Sequence, residues 1–353
     1  MNAITSCQTS ALGGHVVQCG DCGIQDYAYH SCRHRSCPKC MADEAKRWLA
    51  ARSDELLPVP YHHVVFMIPD GLRRIIGAHQ KRLYPVLMQA AGNALVEVAE
   101  SPEHLGGTPA VMSTLHTWSN TLMQHFHVHC LVSGGGVDDE GQWHAAKGGR
   151  IAPDSVFAKA FRTNLRRMMK RAVKGLKLPD AVFDAEWEVY TEQIHHGTET
   201  VLRYLGRSLY RGPISDHRIM EVTDTKVVFQ HRTGHQGKWR TMTLKGVEFL
   251  RRVLLHVWPE GIHKVRYFGL WSRKRGKELA GLRQALLAAA PVASPPSTSE
   301  VPASSDPSAR HWLQCPYCSG QRFIASTFQK GTTPPPLRSP PPPATSPPMA
   351  QPP

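Results

Sequence analysis

Three histidines stand at every second position of HFHVHCLVSGGG, at His125, His127 and His129. On an extended strand, residues two apart share a face. All three imidazoles would then look one way, while Phe126, Val128 and Cys130 look the other way, into a core. Neutral imidazole is a good ligand for divalent transition metals, and two from one strand can grip an ion while the alternate residues anchor it. The same alternation also suits polar residues on a sheet surface. Among 20 histidines some His-x-His pairs arise by chance, so the spacing alone leaves both readings open.

Cysteine offers a second chemistry. Cys19-Gly-Asp-Cys22 and Cys37-Pro-Lys-Cys40 are C-x2-C pairs with 14 residues between them. Each pair can close as a tight turn that puts two thiolates on one ion, and tetrahedral zinc needs two such turns. The spacing predicts a closed structural Zn2+ site of Cys19, Cys22, Cys37 and Cys40, with Cys32, His30 and His34 as weaker substitutes. Arg33, Arg35 and Lys39 lie beside these ligands and would face a phosphate backbone. A further pair, Cys315-Pro-Tyr-Cys318, is half of a zinc site with no visible other half.

Composition narrows the partners. Lys and Arg number 42 against 28 Asp and Glu, a net charge of +14. That favours a polyanion, nucleic acid before an anionic membrane surface. No apolar run reaches the roughly 18 residues of a membrane span. The start lacks a signal-like pattern, so a cytoplasmic, nucleoid-associated protein is expected, in which cysteines bind metal in preference to forming disulfides.

The elements that would position these groups follow from periodicity. PVPYHHVVFMIP reads as a buried strand, residues 71 to 100 as helical, residues 109 to 116 as a second strand, and the histidine run as a third that ends at the turn signal Gly134-Gly135-Gly136. Residues 155 to 177 form a basic amphipathic helix whose Arg166, Arg167, Lys170 and Arg171 are candidate DNA contacts. A helix over TETVLRYLGRSLYRGPIS stops at Gly212-Pro213. Hairpin strands fill residues 218 to 244, and a helix follows over 246 to 258. The expected class is α+β: an antiparallel sheet with flanking helices, preceded by a small zinc-ribbon module. The expected divisions are a zinc- and DNA-binding module (1–50), a main domain (58–258), a helical extension (259–290) and a disordered Pro/Ser-rich tail with a lone CxxC (291–353).

The ordered stretches CGDCG, SCRHRSCPKC, ELLPVPYHHVVFMIP, LHTWSNTLMQHFHVHCLVSGGG and YLGRSLYRGPIS resemble the HUH endonucleases. Within them they resemble the transposases of the insertion sequence 91 family and their ISCR relatives. The resemblance implies a divalent metal, Mg2+ or Mn2+, held by His127 and His129, with His116 as third ligand and His63 as the alternative. It implies Tyr204 as nucleophile, with Arg207 and Arg211 near its helical face. Attack on single-stranded DNA at element termini would leave a 5′-phosphotyrosine and a free 3′-OH. Founding members carry two tyrosines four apart, whereas this chain has Ser208 at the second place, as in the single-tyrosine branch. Tyr210 lies about 120° away around an ideal helix and is a poor substitute. A non-catalytic zinc-dependent DNA-binding protein and a replication initiator or relaxase are the rival readings. The oligomeric state is not fixed by the sequence.

Overall fold

The computed structural model describes residues 2–34, 37–53, 55–194, 212–232, 237–289, 315, 317–318 and 320–337. The chain forms two compact units, one from residues 1–50 and 298–353, the other from residues 51–297.

In the first unit, β1 (Gly14–Cys19) pairs antiparallel with β2 (Gln25–Tyr29) on one side and with the strand Arg322–Phe328 on the other. Tyr27 and Tyr29 stack at 5.5 Å and meet Phe328 edge-on at 5.9 and 6.0 Å, a small aromatic cluster over the three strands. The Tyr27 hydroxyl donates to the Pro335 carbonyl at 2.7 Å. The structure therefore corrects the expected tail: residues 320–337 are ordered, and their strand is part of the N-terminal module. RFIASTF has ordinary strand chemistry, but the proline runs on both sides dominate any average over the segment.

The second unit holds β3 (Tyr61–Met67), β4 (Thr108–Trp118), β5 (Gln124–Val137), β6 (Trp143–Ala145) and β7 (Val189–Ile194). It also holds β8 (Ile219–Val222), β9 (Lys226–Arg232), β10 (Trp239–Lys245) and β11 (Val265–Gly269). The main sheet runs β11-β4-β5-β3-β7 with β6 on the end of β5, and β10-β9-β8 make a separate sheet. All the pairings are antiparallel. The fold class is thus α+β, an antiparallel sheet with flanking helices.

Helices Gln80–Glu100 and Asp154–Ala172 cover one face of the main sheet. Val64, Phe66, Val111, Leu115, Phe126, Val128, Cys130 and Val132 form one core with Leu83, Leu87, Phe157, Phe161 and Leu165. Alternation in β5 sends Phe126, Val128 and Cys130 into this core, which fixes the strand's register because a one-residue slip would bury the histidines instead.

Two boundaries differ from expectation. Gly134–Gly136 continue β5 as strand, because backbone crowds them: a Cβ on Gly134 would lie 2.8 Å from the Pro60 carbonyl oxygen, and one on Gly136 would lie 2.6 Å from that of Gly107. Glycine here marks a close approach of backbones within the sheet where the sequence pattern reads as a turn. The expected 259–290 extension contributes β11 to the edge of the main sheet, paired with β4. Among the described residues no helix is long and apolar enough to cross a membrane.

Candidate functional site

The sheet register builds the site. His116 on β4 lies opposite His127 on β5, and Val65 on β3 lies opposite His129. On the face away from the two helices, His116, His127 and His129 bring their ring nitrogens within 4.8 Å of one another. With metal–nitrogen bonds of ~2.1 Å, small side-chain rotations would close such a trio on one ion. His127 donates from Nδ1 to the His125 carbonyl at 3.2 Å, which puts its lone pair on Nε2. Burial, with the neighbouring His116 and His125 imidazoles adding to it, pushes His127 down to about 3. Its lone pair is therefore present at neutral pH.

The remaining groups sit around this trio. His63 Nε2 lies 2.8 Å from His129 Nδ1, with the two rings parallel at 5.1 Å. The alternative third ligand of the sequence reading thus stands behind His129. Trp118 stacks on His116 at 4.6 Å. His125 stands at the rim, its Nδ1 3.9 Å from an Asp70 oxygen that Arg73 also engages.

At the far end of the β4–β5 hairpin Leu122 takes a left-handed backbone (φ 64°) with its side chain buried. That strained tip is pinned by donors from later in the chain: Arg218 to the Asn120 carbonyl at 2.7 Å, Arg252 to Thr121 at 3.0 Å and His256 to Leu122 at 3.1 Å.

The cysteines do not assemble as their spacing suggests. Cys37 and Cys40 cluster with Cys7 and Cys32, while Cys19 and Cys22 lie beside Cys315 and Cys318. The expected four-ligand group is therefore corrected. The reason is chemical: all C-x2-C turns offer the same two thiolates, so spacing cannot say which pair meets which. In the first cluster Cys7 and Cys40 sulfurs are 3.5 Å apart, and those of Cys32 and Cys40 are 3.8 Å apart. Four thiolates at ~2.3 Å from a tetrahedral zinc lie ~3.8 Å from each other; a disulfide needs ~2.05 Å. Backbone N–H groups of Cys32 and His34 donate to the Cys7 and Cys32 sulfurs, each at 3.4 Å.

A model described as "Transposase zinc-binding domain" matches residues 1–68, and one described as "Putative transposase" matches residues 110–278. "Putative transposase y4qJ" of Sinorhizobium fredii is 35% identical over 362 residues, which covers 95% of this chain and 90% of that relative. The chain belongs to the IS91 family of transposases. The "Transposase for insertion sequence element IS801" of Pseudomonas savastanoi pv. phaseolicola is 27% identical over 319 residues, covering 82% of this chain and 74% of the relative. Among solved structures, the relaxase TrwC complexed with a 27-mer DNA comprising the recognition hairpin and the cleavage site is 10% identical, with a TM-score of 0.26. That match covers 64% of this chain and 72% of the other.

Not every residue singled out in the sequence of this transposase joins its histidine cluster. Tyr204, Arg207, Ser208, Tyr210 and Arg211, and likewise Arg35, lie outside the described residues. The basic helix packs on the opposite face of the sheet from the histidines, with Phe161 4.7 Å from Phe66. Its Arg166 pairs with Asp180 and covers the Phe183 ring at 5.4 Å, and its Arg167 donates to Asn164 at 2.6 Å. Only Lys170 and Arg171 of the four named contacts are exposed without such a bond. In the zinc module Arg33 is exposed, and Lys39 donates to the Cys7 carbonyl at 2.9 Å. The sequence reading missed Cys7, a lone cysteine with no partner at metal-ligand spacing, and the bracing role of His63.

Proposed function

We propose that this transposase nicks single-stranded DNA at the ends of its element and transfers the strand, by a metal-assisted tyrosine transesterification of the rolling-circle kind. The convergence of three imidazoles on the sheet face away from the two helices carries this reading, and family membership supports it.

His116, His127 and His129 would hold one divalent ion, Mn2+ in better accord with imidazole than Mg2+. When bound, that ion supplies charge to polarise a scissile phosphate and ease departure of its oxygen. His127 presents Nε2 because its Nδ1–H is tied to the His125 carbonyl. His63, bonded to Nδ1 of His129, leaves Nε2 of that ring as the ligating atom and fixes its orientation. Tyr204 would be the nucleophile, with Arg207 and Arg211 lowering the cost of a charged phenolate. A Tyr204 Oη–P bond forms, the P–O3′ bond breaks, and the leaving 3′ oxygen gains a proton. The phosphodiester energy is conserved in the phosphotyrosine, so later joining needs no ATP. Zn2+ in the cysteine module would be structural, its coordination closed by four thiolates.

Incubation with Mn2+ and a single-stranded oligonucleotide carrying the element's end tests this. A covalent protein–DNA adduct is expected, absent in Tyr204→Phe and reduced by at least about 100-fold in His127→Ala. An adduct that persists in Tyr204→Phe removes the assigned nucleophile. No adduct from the intact protein, with tight DNA binding retained, favours the non-catalytic rival.

A further inference from the structure

We propose that Cys19, Cys22, Cys315 and Cys318 hold a second zinc ion, so that the two ends of the chain close into one zinc ribbon. The Cys19 and Cys318 sulfurs are 3.5 Å apart, those of Cys22 and Cys315 are 3.6 Å apart, and all four lie within 4.8 Å. These are the edges expected of a tetrathiolate about zinc and are far too long for disulfides.

The two turns also share one backbone pattern. The N–H of Cys22 bonds to the Cys19 sulfur and that of Ile24 to Cys22. In the same way Cys318 bonds to Cys315 and Gly320 to Cys318. Two unrelated stretches of sequence thus fold into the same sulfur-facing knuckle, and the knuckles face each other.

The sheet delivers them there. β1 ends at Cys19, whose register partner is Arg322, and the next residues continue the pairing, with Gly20 N–H donating to the Gln321 carbonyl at 2.9 Å. Gly320 lets the turns approach, since a Cβ there would overlap the Asp21 carboxylate. A three-stranded sheet with so small an aromatic cluster is the kind of scaffold that needs a metal. The site has four protein ligands and no open position, which marks it as structural.

The cysteines are then fully accounted for. Eight fall into two tetrathiolate groups and the ninth, Cys130, is buried in the sheet core of the other unit. The matched zinc-binding model ends at residue 68 and so contains only half of this second site.

Zinc content of the purified full chain decides the matter, independently of any nicking activity. Two zinc ions per chain are expected in the parent and one in the double variant Cys315→Ser/Cys318→Ser. X-ray absorption at the zinc edge should show four sulfurs per zinc in the parent. Cys318→His, which can still ligate, should retain two ions and guards against a serine variant that merely unfolds. One zinc per parent chain, unchanged by the serine substitutions, would overturn the proposal, as would two disulfides linking these four cysteines in protein isolated under reducing conditions.

Discussion

The histidine cluster and the cysteine ribbon bring their side chains together by opposite routes. His116, His127 and His129 come from one hairpin, and register alone brings them together. In the ribbon, cysteines 299 residues apart in sequence meet because the strand Arg322–Phe328 returns to β1. Short-range register is enforced by the hydrophobic alternation of the strand itself. A contact between chain ends has no such local enforcement, and each ligand pair must find its partner against the entropy of closing a long loop. The first kind of site is built into its element; the second depends on distant chemistry arriving.

The largest effect that bears on this contrast is expected at His63. If the histidine centre is self-contained, His63→Ala should weaken Mn2+ affinity by about 10–100-fold through loss of the bond that orients His129, while zinc content stays at the parent level. Calorimetric Mn2+ titration beside elemental analysis reads both, and a fall in zinc would show that the two centres are not independent.

A smaller response is expected from the basic helix, whose apolar face lies against the side of the sheet away from the histidines. Lys170→Glu with Arg171→Glu should leave adduct yield within about twofold of the parent. If those side chains did contact single-stranded DNA, the salt dependence of binding would lose about 0.7 per phosphate contact. A slope reduced by that amount, with a matching drop in yield, would return the helix to the DNA path.

The smallest concerns the pinned hairpin tip. Burial lowers the His256 pKa from its ordinary value near 6.5. The unfolded chain therefore binds the proton more readily, and stability present above ~6.5 is lost as pH falls below it, by at most about 1.4 kcal/mol per pH unit for one proton. Denaturant unfolding at pH 7.5 and 5.5 should show a gentler loss in His256→Gln than in the parent. Parallel losses would mean that the neutral imidazole contributes nothing to the pH response.

The same contrast explains what could be read in advance. The place of His116 beside His127 and His129 comes from the resemblance to the HUH endonucleases and not from the pattern, whereas the strands of the histidine hairpin are legible because alternation is a local property. The cysteine grouping is not, since identical C-x2-C turns carry no label for their partner and Cys7 has no periodic companion. The strand RFIASTF is hidden by proline-rich surroundings. Arg166 reads as a free cation because its partner, Asp180, lies beyond the helix that carries it.

The return of Arg322–Phe328 to β1 also has a consequence during synthesis. At roughly 5–20 residues per second, the 299 residues that separate Cys19 from Cys318 take on the order of 15–60 s to emerge. Through that interval one border of β1 offers unmet amide and carbonyl groups, a template for adhesion between nascent chains. A ribosome that stops early would therefore release a product whose three-stranded cysteine module is incomplete and sticky.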